Sequence, residues 1–226
     1  MIYRSNNTDD NGNIIEIFND NGESIYSKNI PGVKLYITGK NNYIKVHEGT
    51  KFENCAFQMA NYNKVVINKS KYKIQNVRLF ANSYTIFEVG YNLSCLECDI
   101  RLQENRTGFI IGNDCMFSTE IRVYATDGHA IYSIDKNKVL NIGKIIKIGN
   151  HVWIGRRVNQ LKGTKINDNS IVGFGSVVTG NIDESNVVIA GFPAKVIKTG
   201  VNWSRLTPEE YERVHPPFNE NMMRME

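Results

Sequence analysis

The sequence predicts an all-β solenoid, a chain wound into a three-sided prism of short strands. Three observations predict it. In the C-terminal third, Ile142, Ile148, Ile154, Gln160, Ile166, Val172 and Val178 stand six positions apart, and all but Gln160 are β-branched aliphatics. Four positions after each of these beats through Val172 comes an aliphatic or small residue, at Ile146, Val152, Val158, Thr164, Ser170 and Ser176. Glycine follows the beat directly at Gly143, Gly149, Gly155 and Gly173. A period of six fits neither the 3.6 of a helix nor the alternation of a strand. Each hexad therefore reads as one side of a coil, with β-branched residues inside and glycine supplying positive φ at the corners. Coils stack at the spacing of hydrogen-bonded strands, about 4.8 Å.

Taken in order, residues 1–40 read as an irregular β cap, its short strands broken at NDNG before Glu23 and at IPG before Val33. Residues 41–200 read as the solenoid. From Ile44 the beat is degraded, through Ala56, Ile74, Phe80 and Ile86, with polar Thr50 and Asn68 in the series. It recovers at Ile111, Phe117 and Val123 and then breaks off at GHAIYSIDKNKVLN, which reads as a loop projecting over about 129–141. Long loops in a tightly wound fold tend to be functional. Within 201–226, Thr207-Pro208-Glu209-Glu210 combines an N-cap threonine, a proline at the first helical position and a capping-box glutamate, so a short helix starts there. The tail NENMMRME is expected to fray.

The stretch KIIKIGNHVWIGRRVNQLKGTKINDNSIVGFGSVVTGNI, ending in VVIAGFPAKVIK, resembles the hexapeptide-repeat acyltransferases, firmly from about Ile111 to Lys198. The resemblance implies a left-handed parallel β-helix, acetyl-CoA as co-substrate and a threefold-symmetric homotrimer with active sites between chains. Thr126-Asp127-Gly128-His129-Ala130-Ile131 is similar to the DxHxI element of members that O-acetylate bacterial surface polysaccharides, sialic-acid capsules among them. In those members this histidine is the catalytic base, which makes His129 the base expected here. Imidazole suits that task near neutral pH. Asp127 is either the acceptor that fixes the other ring nitrogen or the first residue of an Asp-Gly turn.

The family's VWIG motif places Trp153 at the active site, where it stacks on an acceptor ring, points its indole N–H at the thioester, or fills a crevice between subunits. For coenzyme A the resemblance points to the coil edge at Gly155, Gly173 and Ser176 and to the segment Ala190, Pro193, Lys195 and Lys198, in which Phe192 stands where relatives carry Asn. Small residues let a pantetheine arm lie against backbone, and the lysines meet phosphates. Arg156 and Arg157 serve phosphates, an anionic acceptor or only the surface charge. His151 reads as a turn residue. Gln160, the polar residue on the beat, must find partners inside the prism or distort the coil. Cys115 falls at an inward position and is rejected as a nucleophile.

Length and composition narrow the reading further. At 226 residues the chain suits one well-buried domain. A net charge of +4 is dispersed among acidic residues with no nucleic-acid reader motif, so no nucleic-acid partner is expected. No apolar h-region and no run of eighteen apolar residues occurs, and the four cysteines Cys55, Cys95, Cys98 and Cys115 suit a reducing compartment, so the expected location is the cytoplasm. The single CxxC of Cys95 and Cys98 reads as strand thiols, and no metal is expected. The leading expectation is an acetyl-CoA-dependent O-acetyltransferase of a capsule or lipopolysaccharide. The alternatives are an acetyltransferase for a small hydroxyl or amine, such as an antibiotic or an amino-sugar nucleotide, a zinc enzyme, and a non-catalytic solenoid.

Overall fold

The computed structural model describes residues 9–216. The tail expected to fray lies outside the described residues. The chain is a left-handed parallel β-helix whose strands stack into three sheets, the faces of a prism. It visits them in a fixed order. A first face begins at Ile14–Phe18, a second at Lys51–Glu53 and a third at Val33–Ile37. Each coil passes from first to second to third, as in Ile146–Ile148, Trp153–Ile154 and Asn159–Leu161. Two strands from the segment read as an irregular cap take parallel places in these sheets: Ile14–Phe18 pairs with Tyr43–His47, and Val33–Ile37 with Cys55–Asn61. Within that segment Ser24–Tyr26 departs from the winding, folding back antiparallel on the first strand.

The C-terminal hexads place their side chains as the spacing requires. Ile148, Ile154, Gln160, Ile166, Val172 and Val178 are buried, as are Ile146, Val152, Val158, Thr164, Ser170 and Ser176. Ile142 is the exception, 65% exposed at the end of the projecting loop. Upstream the beat misleads. Ala56, Phe80 and Ile86 are only partly buried, whereas Phe57, Leu79 and Phe87 fill the core. The reason is coil length. Ile148 pairs with Ile166, eighteen residues on, but Val65 pairs with Phe87 and Phe87 with Phe109, twenty-two on each time. Longer strands take up the difference, so a strict six-residue count drifts onto the outer surface.

The corners correct a second expectation. Gly143, Gly149, Gly155 and Gly173 do not adopt positive φ, nor does Gly112 upstream. That conformation falls to Gly175 at the second corner and Gly163 at the third, and otherwise to residues such as Asn92, Asp114, His151, Asn169 and Asn186 at the first corner and Glu120 and Arg157 at the second. The glycines are needed for closeness. A Cβ on Gly112 would lie 2.5 Å from the carbonyl oxygen of Gly149 in the next coil, and one on Gly155 would lie 2.7 Å from that of Val172.

Inside the third corner a ladder of amides ties successive coils together. Asn13 Oδ1 accepts from the backbone and side chain of Asn42, Asn42 Oδ1 from those of Asn63, and Asn63 Oδ1 from the backbone and hydroxyl of Thr85. Gln160 does less well. It points into the prism, where its Oε1 accepts only a long 3.5 Å bond from Thr164 and its Nε2 has no partner. Replacing both polar partners by apolar residues of similar shape is neutral to stabilising when a buried group was unsatisfied. The double variant Gln160→Met, Thr164→Val is expected to gain about 1 kcal/mol, read as a higher midpoint in urea; a midpoint lower than wild type would contradict this.

All four cysteines are free and buried, and burial pushes the Cys115 thiol up to about 12, far from thiolate chemistry at neutral pH. At the C-terminus, Val187–Gly191 and Ala194–Thr199 form a hairpin on the end of the second face. The helix Pro208–Val214 starts at Thr207 with the expected capping box. No described helix is long and apolar enough to cross a membrane.

Candidate active site

The loop that interrupts the winding leaves the third corner after Ile121–Tyr124 and rejoins the first face at Ile146–Ile148. It is an ordered arm. Glu104, in the coil below, accepts from the Thr126 hydroxyl through one carboxylate oxygen and from the Gly143 N–H at 2.8 Å through the other, clasping both ends of the base. Gly128, at φ 79°, lets the chain double back, and its N–H bonds to Thr126 Oγ1 at 3.0 Å. Farther out, Tyr132 and Val139 pair antiparallel, and Leu140 N–H bonds to the Ile131 carbonyl at 2.7 Å.

One side chain pins the arm. Asn141 accepts from Ile131 N–H at 2.7 Å and donates to both Asp127 Oδ2 and the His129 carbonyl at 2.8 Å. Lys162, from the following coil, bonds to Asp127 Oδ2 and, at 2.9 Å, to the Asn141 carbonyl. The Lys162 ammonium, with the Asn141 amide, holds the Asp127 carboxyl below its usual range. Asp127 is thus committed to Lys162 and Asn141 and makes no bond to the His129 ring, contrary to one of its expected roles. The ring of His129 is exposed at the base of the arm, without a hydrogen-bond partner among the described residues. Asn141 and Lys162 were not legible as partners, because neither lies within the motif they support.

Trp153 occupies the second face, 38% exposed. In a triangular section the third corner lies opposite that face, so one chain does not bring Trp153 and His129 together. Beside Trp153 lies an aromatic neighbour that the sequence reading missed: Trp203, with ring centroids 6.2 Å apart. Trp203 stacks on His151 at 4.2 Å and donates its indole N–H to the His151 carbonyl at 2.8 Å. The His151 ring meets Asp114 Oδ2 at 2.8 Å and the Trp203 carbonyl at 3.1 Å. His151 therefore has two parts, a turn residue at φ 51° and an anchor for the C-terminal strap. Arg205 extends that strap, bonding to Asp114, to Ser94 Oγ at 2.7 Å and to the Cys115 carbonyl at 3.0 Å.

The expected coenzyme A residues divide. Gly155, Gly173 and Ala190 form a column of small residues at the edge of the second face; a Cβ on Gly155 would meet Gly173, and one on Gly173 would lie 3.2 Å from Ala190 Cβ. Lys195 pairs with Ala190 across the terminal hairpin, and Lys195 and Lys198 are exposed, with no ion pair among the described residues. Pro193 lies in the exposed turn of that hairpin. Ser176 is a correction. It is fully buried, its hydroxyl donating to the Gly173 carbonyl at 2.8 Å and accepting from Gly191 N–H at 3.2 Å, so it braces the column from within and offers no surface to a ligand. Arg156 and Arg157 both clasp Glu120, whose carboxyl is lowered by Arg157 and then Arg156.

The left-handed prism is the fold of the hexapeptide-repeat class. No family model matches the chain. It is, however, 36% identical over 182 residues to the polysialic acid O-acetyltransferase of Neisseria meningitidis, covering 72% of this chain and 85% of that protein. Identity to the polysialic acid O-acetyltransferase of Escherichia coli O1:K1 / APEC is 30% over 168 residues, 74% of this chain and 47% of that longer protein. Among solved structures, the polySia-specific acetyltransferase NeuO shares the fold, with a TM-score of 0.53 at 23% identity over 85% of this chain and 89% of that one. The chain belongs to the hexapeptide-repeat acetyltransferase family, and it is an acyltransferase.

Proposed function

We propose that this chain O-acetylates an anionic bacterial surface polysaccharide, such as a sialic-acid capsule or lipopolysaccharide, using acetyl-CoA as donor and His129 as general base. The observation that carries the reading is the exposed imidazole of His129, without a hydrogen-bond partner among the described residues and displayed on an arm that Glu104, Asn141 and Lys162 hold in place. The relatives' substrates support the choice of acceptor. His129 takes the proton of an acceptor hydroxyl as that oxygen attacks the thioester carbonyl. The resulting oxyanion is held by an N–H donor, for which the Trp153 indole is the candidate. Collapse breaks the carbon–sulfur bond, and His129 returns its proton to the departing coenzyme A thiolate. Asp127 acts through Asn141 and Lys162 as a positioning residue for the arm.

The pantetheine chain lies along Gly155, Gly173 and Ala190, with phosphates meeting Lys195 and Lys198 and with Arg156 close to the same edge. Because His129 and Trp153 lie on opposite sides of one prism, the site is completed by a neighbouring chain, and we place it in a homotrimer. Ile131, Tyr132, Ile134, Leu140 and Ile142, exposed on the arm, would be covered there. Light scattering should return three copies per particle; a stable monomer at micromolar concentration contradicts the assembly. Acetyl-CoA as donor and four free thiols support a cytoplasmic location.

The experiment is a kinetic split. A phosphate contact made equally in ground and transition states affects binding and leaves turnover alone. Lys195→Ala should raise KM for acetyl-CoA several-fold with kcat nearly unchanged, whereas Trp153→Ala should lower kcat. If both variants altered only the acceptor's KM, the cofactor strip would lie elsewhere.

A further inference from the structure

Below the arm, the coils of the third face present a column of outward side chains in direct register: Tyr36, Gln58, Phe80, Arg101 and Tyr124. Aromatic and hydrogen-bonding groups alternate along it. The Arg101 guanidinium lies 3.7 Å from the centre of the Phe80 ring and is fixed there by Asp99, at 2.6 and 3.0 Å. Between this column and the corner from which the arm departs runs a groove of about 320 Å³, lined by Gln58, Phe80, Asn82 and Gln103 among others. The Gln58 and Gln103 amides are exposed and have no side-chain hydrogen bonds with the described residues; Asn82 uses its Nδ2 on the Gln103 carbonyl and leaves its oxygen open. A second recess on the same face, about 140 Å³, is lined by Arg78 and Arg122 together with Glu97, Asp99 and Glu120; Asp99 is engaged by Arg101 and Glu120 by Arg156 and Arg157, whereas Arg78 and Arg122 form no ion pair among the described residues. Gln103 directly precedes Glu104, the residue that clasps the base of the arm.

These are the requirements of an anionic carbohydrate chain. A sugar ring offers an apolar face to an aromatic side chain and hydroxyls to amides that both donate and accept. A carboxylate on the ring is matched by arginine. Because the groups alternate from coil to coil, like groups recur about 9.6 Å apart, close to the length of two sugars. We infer that the third face is a track for the acceptor: an extended anionic glycan lies along the prism axis with its hydroxyls on Gln58, Asn82 and Gln103, its carboxylates on Arg78 and Arg122, and its leading sugar delivered to the arm. This rests on the acetyl-transfer reading above and deepens it, because such a track selects a polymer over a free sugar.

The test uses the full chain and measures binding apart from turnover. Gel retardation in the presence of polysialic acid, or of neutral dextran of matched length, reads affinity for the polymer directly. Wild type should be retarded by polysialic acid and not by dextran. Arg78→Glu with Arg122→Glu should lose at least about tenfold in that affinity. The uncharged pair Gln58→Ala with Asn82→Ala, on exposed positions that spare the core, should lose a few-fold. In turnover, KM for the polymer should rise in parallel while KM for acetyl-CoA stays at the wild-type value. Absence of retardation of the wild type, or variants retarded like the wild type, overturns the track. Retardation lost in the variants, in a protein that acetylates no glycan, would uphold the track and overturn the acetyl-transfer reading. Equal kcat/KM on a single sugar and on the polymer, unchanged by either variant, would do the reverse.

Discussion

His129→Ala is expected to lower turnover by about 10² to 10⁴ while leaving acetyl-CoA affinity close to that of wild type. The size of the effect follows from the role, since a base acts only as the proton moves, and the ring makes no hydrogen bond with the described residues whose loss would disturb the fold. Single-turnover rates and calorimetric titration with acetyl-CoA separate the two quantities. Turnover within threefold of wild type would remove His129 from the mechanism. Asp127→Asn should be milder, because the amide retains one acceptor for Asn141 and loses only its charge toward Lys162.

Gly112→Ala should be a strongly damaging small substitution in the prism. Its added Cβ would fall 2.5, 2.6 and 2.8 Å from the carbonyl oxygen and carbon of Gly149 and the backbone nitrogen of Asn150. All three atoms are main chain of the next coil, and none can rotate away as a side chain would. At that same level Gly112 N–H bonds to the Ile148 carbonyl at 2.9 Å, so relief of the clash pulls the sheet apart. Overpacking of this kind costs about 3 kcal/mol, or about 10 °C in Tm for a chain of this size. Gly180→Ala, where nothing lies within 4 Å, is the control and should melt like wild type. A Gly112→Ala variant that melts with the control would show that the coils slide past one another more freely than their backbone contacts imply.

What was legible in the sequence depended on coil length and on distance along the chain. Between Ile146 and Val178 the coils are eighteen residues long, in step with the six-residue count, and inward and outward residues were assigned correctly. Upstream the same winding uses twenty-one or twenty-two residues, as in Ile44 beside Val65 and Val65 beside Phe87, and the count slipped by one position. Glycine misled in an instructive way. Its spacing marked the corners, but the reason is the approach of stacked backbones, a property of the neighbouring coil that no local pattern contains. The arm was visible as an interruption, and His129 and Trp153 through their motifs. Glu104, Lys162, Trp203 and Arg205 were not, because each acts on a segment twenty or more residues away.

The strap that runs back over His151 bears on how the molecule comes apart. A stack in which each coil touches only its neighbours has no inner lock and unwinds from whichever end is looser. Here only the coils at Ile146–Leu161 and Lys165–Val178 and the terminal hairpin stand beyond the arm, so that end would be the short fuse. Arg205 alters this by bonding to Ser94 and to the Asn92 carbonyl, 111 and 113 residues earlier in the chain. That single staple fastens the last turns to the middle of the spool. Unravelling is then expected to begin at the hairpin of Ile14–Phe18 and Ser24–Tyr26 and to reach the arm that bears His129 late.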